Sequence, residues 1–466
     1  MMNNKLQKGI LTILLANIIN LVFNLLTNFL LPKYLSVDSY SAIKTFQLYG
    51  MYIGVFSLGC ADGMYLRYGG KDIKDIEKEE IKNCLFTFRC FLIIETIIFL
   101  MISVFIKDKI IMATVLTIIS LNMTGYFKNL YQASGEFKQY GNILNLTTAF
   151  TFAVNMLLLF VVKTDDFFYY LIGYALVDAI IWILLEFYAV KIWTFDKNVK
   201  KIDTSLFVKD VKNGITLMVG NFSSTFLTSM DRWFVKVMMN SIAFAQYSFA
   251  VSLEGFLNTA ITPITVTLYN YFCNKSDKET VVQTRKLVLI FASFLISLAF
   301  PAKFIVDYYL GSYVEATNVL FILFSAQIFY IPIKGIYVNL YKAKGKQNLY
   351  FAKLVFILLI GAILNYLLVL LLATKEAFAY GTLIAAIIWL IFSVLDFRSY
   401  GFTVKEFIYC AFELCIFLVL GFNVNAIIGF IAYIVASLVM TVIFLHDECI
   451  IIYNKFLQVI AKLMNK

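Results

Sequence analysis

Residues 71–109 read KDIKDIEKEEIKNCLFTFRCFLIIETIIFLMISVFIKDK, and this stretch decides the fold. Its middle, 84–106, is an almost unbroken run of apolar side chains. About 20 such residues in a helix, rising about 1.5 Å each, cross a hydrocarbon core of about 30 Å. Ahead of the run stand Lys71, Lys74, Lys78 and Lys82 among acidic residues, and behind it only Lys107 and Lys109. A membrane span with more positive charge on one side than the other is the unit from which the rest of the chain is built.

Working outward, the same unit recurs over the 466 residues. The hydrophobic fraction is 61% and the mean hydropathy +0.83. Expected spans lie at 9–31, 40–65, 84–106, 110–131, 142–162, 167–190 and 213–235. A second set lies at 242–272, 287–308, 315–341, 350–373, 377–396, 407–422 and 425–445. In lipid every backbone polar group must be satisfied internally, so the fold class is an all-α integral membrane protein of about 14 transmembrane helices. The last two spans are short and close together, which leaves 12 as the alternative count.

The 39 basic residues sort by the gaps between spans. With the N-terminus in the cytoplasm, 28 fall on the cytosolic side, 7 on the other, and four (Lys44, Arg89, Arg232 and Lys334) inside spans. Basic residues flanking membrane helices are retained in the cytoplasm, so both termini are expected inside. The net charge of +10 follows from this topology and does not point to nucleic acid. Cys60, Cys84, Cys90, Cys273, Cys410, Cys415 and Cys449 form no C-x-x-C pair and read as small packing residues. His446 is the only histidine, and no Ser/His/Asp set, metal cluster or phosphate-cradling loop can be assembled, so no catalytic residue, metal or cofactor is expected. No extramembrane segment is long enough for a soluble catalytic domain.

The longest hydrophilic breaks are 66–83, 191–212 and the tail. Residues 191–212 read as a cytosolic connector between 1–190 and 213–396, followed by two further helices over 407–445. Within the connector, Asp203-Thr204-Ser205 is placed to cap a helix lying on the membrane face. The tail 447–466 has Ile452, Phe456, Val459, Ile460 and Leu463 at helical spacing, an interfacial amphipathic pattern. Offset by 204 residues, 8–43 overlies 212–247, aligning Lys8 with Lys212 and Asn17 with Asn221, which favours a duplicated plan. Pro263, Pro301 and Pro332 fall inside spans and kink them, either as fixed bends or as hinges.

Several stretches are similar to one transporter family. Residues 31–41, LPKYLSVDSYS, resemble its turn between the first two spans, with Ser36 and Ser41 in place of glycines. Residues 58–68, LGCADGMYLRY, resemble the end of its second span, and 131–138, YQASGEFK, a loop motif. SMDRWFV at 229–235 running to AQYSFA at 245–250 resembles its seventh span, and YKAKGK at 341–346 echoes a later loop. The family is the polysaccharide flippases of the multidrug/oligosaccharidyl-lipid/polysaccharide exporter superfamily, which serve O-antigen, capsule and teichoic-type polymers. The resemblance implies two six-helix bundles around a central cavity, rocking between inward- and outward-open states, plus two C-terminal helices. The implied cargo is an oligosaccharide on undecaprenyl pyrophosphate in the cytoplasmic membrane of a bacterium. A polysaccharide polymerase and glycosyltransferases would be its partners, alongside membrane lipids.

Ionisable groups inside spans cost roughly 2.5–3.5 kcal/mol each at mid-membrane and are functional candidates on that ground alone. Lys44 either snorkels to the interface or lines the cavity. Arg232 is a cavity cation for phosphate or a structural partner, and Asp231 beside it orients a cation. Lys334, two residues after Pro332, is the deepest base and a cavity candidate. Glu254 either couples an ion, H⁺ or Na⁺, or pairs with Lys334, and pairing leads. Glu95, Asp178 and Glu413 are also intramembrane, and Arg89 reads as structural. Tyr247 and Tyr269 are secondary candidates for stacking on sugar. Two other functions compete with the flippase: a cation-coupled multidrug or small-molecule antiporter, and a membrane glycan polymerase.

Overall fold

A computed structural model of the chain describes residues 20–193 and 202–454. Among these, every regular element is a helix. Ten helical stretches are long and apolar enough to cross a membrane, and they coincide with ten of the expected spans. Several of them carry large apolar side chains on their outer faces. In the helix Lys78–Ile106, Ile94 is 60% and Phe105 84% exposed, an arrangement stable only with lipid as solvent. The protein is an all-α, multi-pass membrane protein.

The chain divides into two compact units at Met230/Asp231. The first holds α1 (20–34), α2 (Val37–Gly50), α3 (Cys60–Tyr68), α4 (Lys78–Ile106), α5 (Lys109–Leu116), α6 (Ile118–Ala133), α7 (Phe137–Met156), α8 (Phe167–Trp193) and most of α9 (Thr204–Met238). Its core gathers Met64, Phe88, Tyr126, Phe127 and Tyr131 from α3, α4 and α6.

Two features of this unit depart from the expected spans. The run 40–65 is not one helix. It breaks after Gly50 into a 3₁₀ turn, Ile53–Ser57, and restarts at Cys60 after Leu58 and Gly59 adopt positive φ. Gly50, Gly54 and Gly59 weaken helix over this segment, and φ > 0 at Gly59 is a conformation glycine takes without cost. The second departure is at the connector. Asp203 does cap a helix, its Oδ1 accepting from Leu206 N at 2.9 Å. That helix is the first turn of α9, which runs without a break through the expected span 213–235.

α3 and α9 cross backbone to backbone. A Cβ on Gly63 would overlap the Asp210 carbonyl, and one on Gly214 would overlap Gly59 and Gly63. Gly59-x-x-x-Gly63 is the small-residue spacing that permits such contact between membrane helices. Beside the crossing, Arg67 donates to Asp210 Oδ2 at 2.7 Å and also to Glu80, while Tyr68 donates to Glu80 at 2.6 Å. Burial pushes the Asp210 carboxyl up from its ordinary range, and the Arg67 guanidinium opposes that push.

The second unit holds the end of α9, α10 (Ser241–Gly255), α11 (Leu257–Asn274), α12 (Lys278–Ile296), α13 (Ala299–Tyr309), α14 (Ala316–Pro332), α15 (Val338–Ala343), α16 (Gln347–Leu372), α17 (Glu376–Asp396), α18 (Val404–Asn423), α19 (Ala426–Phe444) and α20 (446–454). α14 is its axis. It is almost wholly buried and packs against α10, α12, α17 and α18. Polar N-caps start several of these helices: Asn240 for α10, Asp277 for α12, Thr403 with Glu406 as a capping box for α18, and Asn425 for α19. The expected span 315–341 is interrupted. Pro332 ends α14, and a π turn, Ile333–Tyr337, carries the chain into α15. Residues 9–19 of the first expected span, Lys8 and Asn17 of the repeat, and 455–466 of the tail lie outside the described residues.

Candidate functional site

Four of the five sequence-chosen charges share the second unit. Asp231 and Arg232 stand near the end of α9, Glu254 at the end of α10, and Lys334 in the π turn. They are near enough for Glu254 to feel Lys334, Asp231 and Arg232 electrostatically. Lys44 belongs to the first unit, where its Nζ donates to Asn28 Oδ1 at 3.0 Å and lies 5.2 Å from the Tyr40 ring centre.

The backbone explains how Lys334 gets its position. Pro332 has no N–H and clashes with a preceding turn, and the π turn that follows absorbs the misfit. From Val319 to Tyr341, only Tyr330, Lys334 and Val338 escape full burial. They sit four residues apart, so one narrow stripe of this helix is accessible and Lys334 is at its centre. The amine donates to Asn258 Oδ1 at 3.4 Å and lies 5.6 Å from the Tyr330 ring centre.

The pairing of Lys334 with Glu254 is not direct. Among the described residues no ion pair joins them: Glu254 accepts from Gln327 Nε2, and Lys334 from α11 has only the neutral Asn258. Asp231 is buried, its Oδ2 accepting from Tyr247 Oη at 2.7 Å and its Oδ1 from the Arg232 N–H at 2.8 Å. Tyr247 is fully buried by this contact, so it has no face to stack on sugar, whereas Tyr269 is 43% exposed. Gln327, Asn258, Tyr330 and Tyr247 complete the site, and none is marked by charge in the sequence. The cue available was their spacing: Gln327, Tyr330 and Lys334 fall on one helical face, as do Tyr247, Glu254 and Asn258.

Arg89, in the first unit, has a carboxylate partner of its own. Arg89 pairs with Glu186 at 2.6 Å, and Trp182 Nε1 donates to the same carboxylate at 3.0 Å. The part of α9 in the first unit is unusual for a membrane helix. Thr216, Asn221, Ser224 and Thr228 are exposed along it, and Asn221 donates to Asp62 Oδ1 at 3.2 Å. Polar side chains at membrane depth face water or protein, not lipid.

No family model matches the sequence, and no curated protein matches it. Solved structures do match the fold. The chain is similar to "Lipid II flippase MurJ, inward closed conformation", with 14% identity and a TM-score of 0.62 over 93% of this chain and 98% of that one. It is also similar to an inward-facing multidrug resistance MATE family transporter of the MOP superfamily, with 12% identity and a TM-score of 0.55 over 84% of this chain and 96% of that one. The first is named as a flippase and the second as a transporter. At these identities the likeness establishes the architecture, and the chain has the multi-pass fold of MOP-superfamily transporters.

Proposed function

We propose that this protein is a flippase that carries a lipid-linked oligosaccharide with a pyrophosphate headgroup across a bacterial cytoplasmic membrane by alternating access, for assembly of a cell-surface polysaccharide. The observation that carries the reading is Lys334: a cation on the one accessible stripe of a buried helix, with only a long contact to a neutral amide. An ammonium has three donors, so two remain for phosphate oxygens. Two unit charges 4 Å apart at an effective dielectric of about 20 attract by about 4 kcal/mol, enough to hold a headgroup and weak enough to release it. Arg232, in the same unit, is the further cation for that anion, and Lys44 of the first unit is a separate candidate for binding phosphate. The likeness to a lipid II flippase over nearly the whole of both chains supports the class of cargo.

A cation-coupled antiporter is the second reading, and Asp231 and Glu254 favour it, since carboxylates would bind a cationic solute or the coupling H⁺ or Na⁺. Proteoliposomes separate the two. With a fluorescent undecaprenyl-pyrophosphate disaccharide inside, the wild-type protein is expected to expose it outside at least tenfold faster than empty vesicles. Lys334→Gln is expected to lose most of that rate, and Lys334→Arg to keep a substantial part. Uptake of a cationic dye on an ion gradient, with no lipid movement, would establish the antiporter instead. Extension of the glycan in the same vesicles would establish a polymerase.

A further inference from the structure

α19 is built inside out. Ile427, Ile428, Ile431 and Val435 are exposed along it, while its one buried stripe is Ala426, Gly429, Tyr433, Ser437 and Thr441. The three hydroxyls of that stripe meet α18 and α12, and at their centre lies Glu413, 1% exposed. Glu413 is nine residues from the start of α18 and ten from its end. At about 1.5 Å per residue it stands about 14 Å from either end, at the middle of a bilayer core.

The surroundings of this carboxylate are made of hydroxyls. Tyr433 Oη donates to Glu413 Oε2 at 2.7 Å. Tyr409 Oη donates to Ser293 Oγ at 3.0 Å and lies 3.2 Å from Thr441 Oγ1, and Tyr433 Oη also reaches the Ser293 carbonyl at 3.0 Å. The charged groups of the neighbouring helices are committed elsewhere. Arg285 of α12 is bound to Glu406, two turns toward the cytosol. Lys303 of α13 donates to the carbonyls of Gly421 and Val424, two turns the other way. Among the described residues, Tyr409, Cys410 and Tyr433 are the other titratable side chains that bear on Glu413. α14 meets α18 through Phe321 against Phe417.

Among the described residues Glu413 Oε1 and Ser437 Oγ form no hydrogen bond of good geometry, although the Ser437, Tyr409 and Tyr433 hydroxyls all stand close enough to act on the carboxyl. An ionised carboxyl at this depth without a cation is costly, by several kcal/mol even after relaxation. One positive charge placed at Oε1, within this ring of hydroxyls, would balance the carboxylate. We infer that Glu413, with Ser437 and the hydroxyls of Tyr409, Tyr433 and Thr441, forms a binding site for a small monovalent cation, H⁺ or Na⁺, within the C-terminal helix pair. Neither ion needs any further ligand class: a proton on Oε1 donates to an oxygen such as Ser437 Oγ, and Na⁺ takes carboxylate and hydroxyl oxygens. The site is separate from the Lys334 cluster and stands whether or not the cargo is a lipid-linked sugar.

The test uses the full-length protein in lipid nanodiscs, with two measurements. Infrared spectra at neutral pH read a protonated buried carboxyl. Thermal unfolding in NaCl against choline chloride at equal ionic strength reads sodium. A protonated-carboxyl band in the wild type that vanishes in Glu413→Gln supports the site with H⁺ as its ion. An unfolding midpoint raised by Na⁺ in the wild type and not in Glu413→Gln supports it with Na⁺. If Glu413→Gln does not fold, Ser437→Ala keeps the carboxyl and must shift the band or reduce the sodium effect. A wild type showing neither signal, or signals unchanged in both variants, overturns the inference.

Discussion

Gly63 and Gly214 lie where α3 and α9 touch, and nothing larger fits there. Gly63→Val is expected to destabilise the protein by about 1–3 kcal/mol through overpacking, read as a lowered unfolding midpoint in detergent. Tyr247→Phe tests a different residue-scale claim. It removes the only side-chain donor shown for Asp231 Oδ2, and leaving a buried carboxylate oxygen unpartnered costs about 1–3 kcal/mol. Chemical unfolding of this variant beside Asp231→Asn and the double variant, read as a double-mutant cycle, checks that the loss belongs to the hydrogen bond. At this scale the sequence showed which residues carried charge and hid what they met. Lys334 was legible as a base at membrane depth, but its neutral partner Asn258 and the diversion of Glu254 to Gln327 depend on which helix faces fold together. A carboxamide two or three turns away on another helix has no signature in a single sequence.

Among the elements, the junction of α12 with α18 makes the sharpest prediction. Arg285 is fully buried and bidentate to Glu406, at 2.8 and 3.0 Å, and it also donates to the Tyr400 carbonyl at 3.3 Å. Glu406 also accepts from Thr403 N at 2.7 Å, closing the capping box. Arg285→Met strands a buried carboxylate and is expected to cost about 3–5 kcal/mol, whereas Arg285→Met with Glu406→Gln keeps the cap and recovers most of the loss. A double-mutant cycle on unfolding free energies measures the coupling. The start of α12 adds a pH effect. Asp277 accepts from the Thr280 N–H and hydroxyl, which hold its carboxyl below the ordinary range. A lowered folded pKa contributes stability that is complete above the ordinary carboxylate range. It is lost as pH falls through the lowered value, and faster amide exchange at Thr280 in acid should report it. Helix positions were largely legible because apolar length is a bulk signal. Breaks were not: the 3₁₀ turn after Gly50 and the π turn after Pro332 are local backbone solutions inside runs that remain apolar throughout.

For the whole molecule, membrane fold and orientation rest on different evidence. The fold was readable from apolar runs because lipid admits few backbone arrangements, and the outward apolar faces of α4 and α19 bear it out. Orientation rests on the division of 28 basic residues against 7. In a background without native cysteines, a cysteine at Lys107 is expected to react with an impermeant thiol reagent on intact cells. One at Lys74 should react only after permeabilisation, and the opposite pattern would reverse the topology. Function was legible only as far as charge was. The cations that topology does not use pointed to an anionic cargo, and the fold is shared with a lipid II flippase and a MATE transporter alike. The most direct measurement is therefore made in the cell, on the leaflet occupied by lipid-linked repeat units. Deleting the gene is predicted to trap them on the cytosolic side, with release restored by the wild-type protein and not by Lys334→Gln. Their normal appearance on the outer side of the deletion strain would contradict the account.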